Sequence, residues 1–249
     1  MQVKTDGLII MEKSISESDR LVTILTRKYG LIRAFVRGAK NIKNKNFSST
    51  QLFCYSDFNI YKGRDKYIVN ESNSKKSFWN LRCHIEKLAL AQYFCDLLLN
   101  LVIEEQNTED ILRLTLNSLY YLSEGKLSNA LIKSVFEMRL LAMSGYMPHL
   151  VSCVCCEESS KTVFYFVPNE NGLLCENCYK SKNKFGFKLS EGVLYALRYT
   201  VYSEFNKMFA FELKKQSQME LSMITESYLL KCIEKNLKTL DFYKQLMIN

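Results

Sequence analysis

Five cysteines lie close together in the chain and invite metal chemistry. Cys153, Cys155 and Cys156 fall in "VSCVCC", and Cys175 and Cys178 in "CENC". A site built from two Cys-x-x-Cys turns lets both sulfurs of each turn reach one ion, at about 2.3 Å for zinc. Cys153 with Cys156 has this spacing and Cys175 with Cys178 repeats it, with eighteen residues between the pairs, the separation found in such sites. Cys155 and Cys156 are adjacent and a poor chelate, and a Cys153–Cys155 pair is possible but rarer, so Cys155 is expected to be a bystander in the turn. Four thiolates close a tetrahedron and leave no position for water or substrate, so one structural zinc ion is predicted.

Other signs of catalysis are weak. His84 reads as part of a helix and His149 follows Pro148, positions where a histidine is usually a surface or satisfied residue. No Walker-type phosphate loop and no nucleophile-elbow serine motif occurs. A zinc enzyme is the competing reading, but it needs an open metal position that four cysteines do not leave. Cys54, Cys83, Cys95 and Cys232 sit in apolar patterns and are expected to be core thiols. Nine cysteines without a secretory signal fit reduced thiols and a cytoplasmic chain better than disulfides.

A second kind of chemistry comes from charge. The net charge is +8, and the first eighty residues account for all of it, with fifteen basic against seven acidic side chains. Between Asp19 and Asp57 there is no acid, while Arg20, Arg27, Lys28, Arg33, Arg37, Lys40, Lys43 and Lys45 all fall there. One-sided charge over a small unit points to a polyanionic partner. An acidic protein partner is the alternative, which would make the chain an interaction scaffold.

The elements that must position these groups follow from periodicity. "LIIM", "RLVTILTR", "GLIRAFVR", "LFCYSDFNIY" and "KYIV" are short, β-branched or aromatic, and separated by polar turns. Five such strands predict a small closed barrel of the oligonucleotide-binding (OB) kind, with an SH3-like barrel as the nearest alternative. Successive side chains of a strand point to opposite faces. In "LIRAFVR" Ile32, Ala34 and Val36 therefore share one face, and Arg33, Phe35 and Arg37 the other. Arginines can meet phosphates while an aromatic ring stacks a base for roughly 1–3 kcal/mol. Tyr55, Tyr61 and Tyr67 are candidates to extend this platform. "GAKNIKNKNFSST" reads as a basic loop with little to bury, and Lys40, Lys43 and Lys45 join Arg33, Phe35 and Arg37 as candidate DNA-binding residues.

From Ser77 the period becomes helical. "FWNLRCHIEKLALAQYFCDLLLNLVIEE" is a mostly buried helix whose Gln92, Asp96 and Asn100 form a narrow polar stripe, and a central aspartate would cost a membrane span roughly 2.5–3.5 kcal/mol. "TEDILRLTLNSLYYLSEG" follows, and a third helix runs from a Ser128 cap to Gly145. After the cysteines, "LSEGVLYALRYTVYSEF" and "MELSMITESYLLKCIEKNLKTLDFY" are helical again. Phe78 and Trp79 are expected to pack in the core where barrel gives way to helix. The predicted class is α+β: an OB barrel over residues 1–79, then a helical bundle over 80–249 with a zinc-binding insertion at about 150–182.

With barrel, bundle and four-cysteine site in this order, the chain resembles the bacterial recombination-mediator family RecO. The resemblance is carried by "SESDRLVTILTRKYGLIRAFVRGAK", "FEMRLLAMSGYMPHLVSCVCC", "LLCENC" and "FKLSEGVLYALRY". It implies a non-enzymatic protein of DNA repair that binds single- and double-stranded DNA. It also implies annealing of strands coated by single-stranded-DNA-binding protein (SSB) and, with RecR, help in loading the RecA recombinase. Localisation would be cytoplasmic, with the nucleoid. Arg33, Arg37 and Lys40 match the family's basic positions, and Cys153, Cys156, Cys175 and Cys178 its metal motif, which not every member keeps. Glu157 stands where the family usually has glycine, which bears on the shape of the first metal turn.

Overall fold

A computed structural model describes residues 1–64, 66–103, 106–161, 163–182 and 184–248. Five strands open the chain: β1 (Gln2–Ser14), β2 (Arg20–Thr26), β3 (Leu31–Val36), β4 (Cys54–Lys62) and β5 (Tyr67–Ser77). They close into a barrel in the order β1-β2-β3-β5-β4, with β4 pairing back onto β1. Only the β3–β5 pair is parallel. This is the five-stranded OB arrangement, and the order rules out a simple meander. Inside it pack Val3, Ile9, Val22, Ile24, Ile32, Ala34, Val36, Phe58, Ile60 and Val69. These are alternate residues along β2, β3 and β4, as the period of two requires.

β5 runs far beyond "KYIV". Its second half is polar and lacks apolar alternation because its buried contact is itself polar. Asn46 Oδ1 accepts from Ser72 N–H and Ser72 Oγ, both at 2.9 Å, and Ser49 Oγ lies 2.6 Å from Ser72 Oγ. The segment "GAKNIKNKNFSST" therefore buries more than its composition implies: Ala39, Asn46, Ser49 and Thr50 are all buried. It is a chain of turns pinned to β5 by hydrogen bonds, and a polar composition cannot distinguish a satisfied buried amide from a solvated one.

The chain divides into two compact units by its own contacts, Met1–Glu124 with Leu237–Asn249, and Gly125–Asn236. In the first, α1 (Ile85–Leu101), α2 (Glu109–Glu124) and α7 (Lys238–Ile248) accompany the barrel. The change from strand to helix near residue 79 is thus not where packing separates the chain. The polar stripe of α1 is present, and Asp96 accepts from Thr239 Oγ1 of α7 at 2.7 Å. Glu104 and Glu105, at the end of the segment read as the first helix, lie outside the described residues. No helix among the described residues is long and apolar enough to cross a membrane. Thr108 is buried and ties the start of α2 to β2, donating to the Thr26 carbonyl at 2.6 Å.

Asp6 and Arg27 form a second tie within this unit. Arg27 Nε and a terminal nitrogen grip the Asp6 carboxylate at 2.8 and 2.7 Å, and the Tyr55 hydroxyl donates to the same carboxylate. These arginine bonds, outweighing burial and helped by Tyr55, hold the Asp6 carboxyl down to about 2, from 3.8. A lowered carboxyl stabilises fully above its unfolded value and loses that contribution as pH falls through its folded one. In urea titrations the wild-type and Asp6→Asn midpoints should differ above about pH 4, by about 2 kcal/mol of stability, and converge as the pH falls toward 2. Parallel curves would mean that the contact contributes nothing.

The second unit holds α3 (Asn129–Met143), α5 (Glu191–Tyr202) and α6 (Lys215–Ile233). It also holds a small sheet of order β6-β8-β7-β9, made of β6 (His149–Cys153), β7 (Phe164–Val167), β8 (Gly172–Cys175) and β9 (Phe187–Lys188), and the short α4 (Glu176–Lys182). Ser128 caps α3 by accepting from Leu131 N–H at 3.2 Å, and Gly145 follows its end at φ +91°. Lys133 of α3 is buried between Glu137 and Glu226, each at 2.9 Å, which sets the register of α3 on α6. The last helical segment read from sequence is two helices. Glu234 takes a left-handed φ of 53° after α6, and α7 starts four residues later in the other unit.

Candidate nucleic-acid interface and metal centre

β3 presents the two faces that its alternation predicts. Ile32, Ala34 and Val36 are buried, while Arg33, Phe35 and Arg37 are exposed. Pairing extends Phe35 into a row across the barrel's outer face. Leu21 of β2 lies opposite Phe35 on one side and Ile68 of β5 on the other; Tyr61 of β4 lies opposite Ile68, and Lys13 of β1 opposite Leu21. Phe35 and Tyr61 are exposed and stand two strands apart, about 10 Å. A cleft of about 440 Å³ adjoins this row, lined by Arg37, Asn44, Lys45, Asn46, Ile68, Val69 and Asn70. Cations and amides beside flat rings can take phosphates, base edges and base faces respectively.

Not every candidate contributes equally. Of the tyrosines, only Tyr61 joins the row. Tyr67 packs against the barrel core, and Tyr55 is held by Asp6 and Arg27. Arg20 and Arg27 are taken by Glu12 and Asp6, Lys45 pairs with Glu71 at 3.1 Å, and Lys40 Nζ donates to the Ser16 carbonyl at 2.8 Å. Among the described residues Arg33, Arg37, Lys28 and Lys43 have no ion-pair partner. The acid-free run between Asp19 and Asp57 concealed this difference, because the neutralising acids come from β1, β5 and α2.

Phe78 is buried as expected, but Trp79 is 55% exposed. It opens a 3-10 turn, Trp79–Cys83, that projects its ring outward. Cys54 and Cys95 are buried, whereas Cys83, at the end of the same turn, is exposed and Cys232 is half-buried. His84 precedes α1 rather than lying in it, and His149 opens β6 with its Nε2 2.9 Å from Ser152 Oγ.

The four sulfurs of Cys153, Cys156, Cys175 and Cys178 all lie within 4.8 Å of one another, a cluster that could hold a metal ion. Cys155 is exposed and outside it. Parallel pairing of β6 with β8 brings the two motifs together, since Cys153 and Cys175 end these strands and Cys178 sits in the first turn of α4. Gly172 permits that approach: a Cβ there would come within 2.5 Å of the His149 carbonyl. Burial opposes ionisation of Cys153, but backbone N–H groups of Cys175, Cys156 and Cys155 hold its thiol down to about 6. The neighbouring thiols of Cys175 and Cys156 push Cys178 up. A central cation would stabilise all four as thiolates.

Glu157 closes the first turn, its N–H donating to the Cys153 carbonyl at 2.9 Å, with a left-handed φ of 60°. The turn thus keeps the conformation a glycine would adopt freely, at a cost of roughly 1–2 kcal/mol for a side chain. Allowing for the flexibility glycine adds to the unfolded chain, Glu157→Gly should stabilise the protein by about 0.5–1 kcal/mol. A lowered denaturation midpoint would contradict this account of the turn.

Comparison with known proteins agrees with this architecture. Residues 1–78 match the family model "Recombination protein O N terminal" and residues 82–241 match "Recombination protein O C terminal". The chain is 37% identical to a DNA repair protein RecO from Acetivibrio thermocellus over 98% of its length and 97% of that protein's. It is 28% identical to the one from Alkaliphilus metalliredigens over 99% and 100%, and 26% identical to the one from Clostridium novyi over 98% and 94%. An OB barrel followed by helices with a four-cysteine cluster, matched along nearly the whole chain, places this protein in the RecO family of DNA repair proteins.

Proposed function

We propose that the chain is a non-enzymatic recombination mediator that binds single- and double-stranded DNA on the barrel's outer face. In this reading it anneals complementary strands and, with RecR, assists RecA loading onto SSB-coated DNA, in the cytoplasm at the nucleoid. The observation that carries it is the row of Phe35 and Tyr61 flanked by Arg33 and Arg37, exposed cations that form no ion pair among the described residues. These arginines and Lys43 would release counterions from phosphates, so binding tightens at low salt and weakens steeply as salt rises. The two rings would stack bases without regard to sequence. Lys40 and Lys45, held by Ser16 and Glu71, are secondary contacts. Annealing then needs no nucleotide hydrolysis, because neutralised strands lose their repulsion and base pairing drives the step.

The sulfur cluster is assigned a structural zinc. Zinc–sulfur bonds of about 2.3 Å in a tetrahedron imply sulfur separations of about 3.8 Å, and the Cys156 and Cys175 sulfurs lie 3.7 Å apart. Bound there, the ion would supply cross-linking of β6, β8 and α4. Titration of labelled single-stranded and duplex oligonucleotides by anisotropy at several salt concentrations tests the DNA-binding reading. No binding at low salt, together with binding of an acidic peptide, would replace it with a protein scaffold.

A further inference from the structure

The chain has one tryptophan, and it sits on the surface rather than in the core. Beside the buried Phe78, the Trp79 ring carries the Arg82 guanidinium 4.6 Å from its centre. Lys76, at the end of β5, places its ammonium 4.6 Å from the Tyr120 ring and 5.5 Å from that of Phe78. Tyr120, on α2, is 36% exposed. Among the described residues neither Lys76 nor Arg82 has a carboxylate partner. The backbone beneath is fixed: Phe78 N–H donates to the Phe53 carbonyl and Arg82 to that of Leu52, both at 3.2 Å. Two accessible cations thus rest on aromatic faces, on a preorganised turn.

We propose that this junction is a second contact surface for single-stranded nucleic acid, separate from the Phe35 row. The proposal rests on the DNA-binding reading above. Lys76 lies eight residues along β5 from Ile68, about 27 Å at the rise of a strand, too far for one or two nucleotides to touch both. The alternation of exposed ring and unneutralised cation repeats that of Arg33, Phe35 and Arg37, and it fits the alternation of base and phosphate. An acidic peptide can satisfy the cations, but a nucleic-acid strand sets a planar base beside every phosphate. Two such surfaces let one chain hold two strands, which annealing requires.

Trp79 provides its own readout. Oligothymidylate added to the full chain should quench tryptophan emission, whereas an abasic oligonucleotide of the same length should not. Lys76→Ala with Arg82→Ala should weaken the quench titration roughly tenfold and slow annealing of complementary oligonucleotides. Arg33→Ala with Arg37→Ala should leave the quench in place. Anisotropy of labelled DNA, read in parallel, separates the two ideas. If DNA binds by anisotropy and tryptophan emission does not change, the junction surface is wrong while the barrel reading stands. If no DNA binds at all, both fail. Equal loss of the quench in the barrel variant would make the junction part of a single tract, and quenching by an acidic peptide but not by oligothymidylate would assign it to a protein partner; either overturns the proposal.

Discussion

Cys175→Ser is expected to lose metal binding and unfold the small sheet of the second unit, while Cys155→Ser folds, binds metal and melts like the wild type. Binding free energy of structural zinc in small zinc-finger peptides is about 10–16 kcal/mol near pH 7 and is largely folding free energy. Cys175 is buried at the end of β8, opposite Phe164 of β7, so a serine there weakens the site and leaves a polar group in an apolar position. Cys155 is exposed and outside the cluster. Metal analysis of purified protein should find one zinc per chain, and a chelator should lower the melting temperature of the wild type. If zinc is lost with Cys155 instead, the pairing of Cys153 with Cys156 is wrong.

Arg33→Ala with Arg37→Ala should leave the fold intact and reduce single-strand affinity, most at low salt. Each lost phosphate contact flattens the log–log salt slope by about 0.7 on single strands, so the pair removes about 1.4. From the same relation the loss is roughly sixty-five-fold near 50 mM salt and about tenfold near 200 mM. Both side chains are exposed and neither forms an ion pair among the described residues; Asp19, whose carboxylate feels Arg37, still accepts from the Gly38 N–H at 2.8 Å. Phe35→Ala provides the contrast: a comparable loss of roughly 1–3 kcal/mol with the salt slope unchanged, because stacking releases no counterions. An unaltered slope in the arginine pair would move the contact elsewhere on the barrel.

The two predictions differ in how far the sequence already supports them. The sulfur quartet was legible because chelation imposes spacing along the chain. The Arg33–Phe35–Arg37 face was legible because a strand repeats every two residues. Tyr61 was recognised as an aromatic candidate, but its place in the Phe35 row depends on the register of β4 on β5, which no local pattern records. For Trp79 the local pattern points inward, because a large ring next to a buried Phe78 is usually core, whereas a 3-10 turn rotates it outward. The apolar pattern covers only the start of β5, because its second half buries serine against the Asn46 amide rather than apolar groups.

By itself, then, the sequence determined the barrel, the helical character of the rest, the four thiols that cluster and the family, since each depends on a period, a spacing or a charge run carried by contiguous residues. Only the tertiary structure decided which cations are free, because Glu12, Asp6, Glu71 and Glu109 reach their partners from other elements. It also decided that α7 belongs with the barrel's unit and that Gly172 brings β6 against β8. These outcomes depend on contacts between residues far apart in the chain, and that distance is why the local pattern did not reveal them.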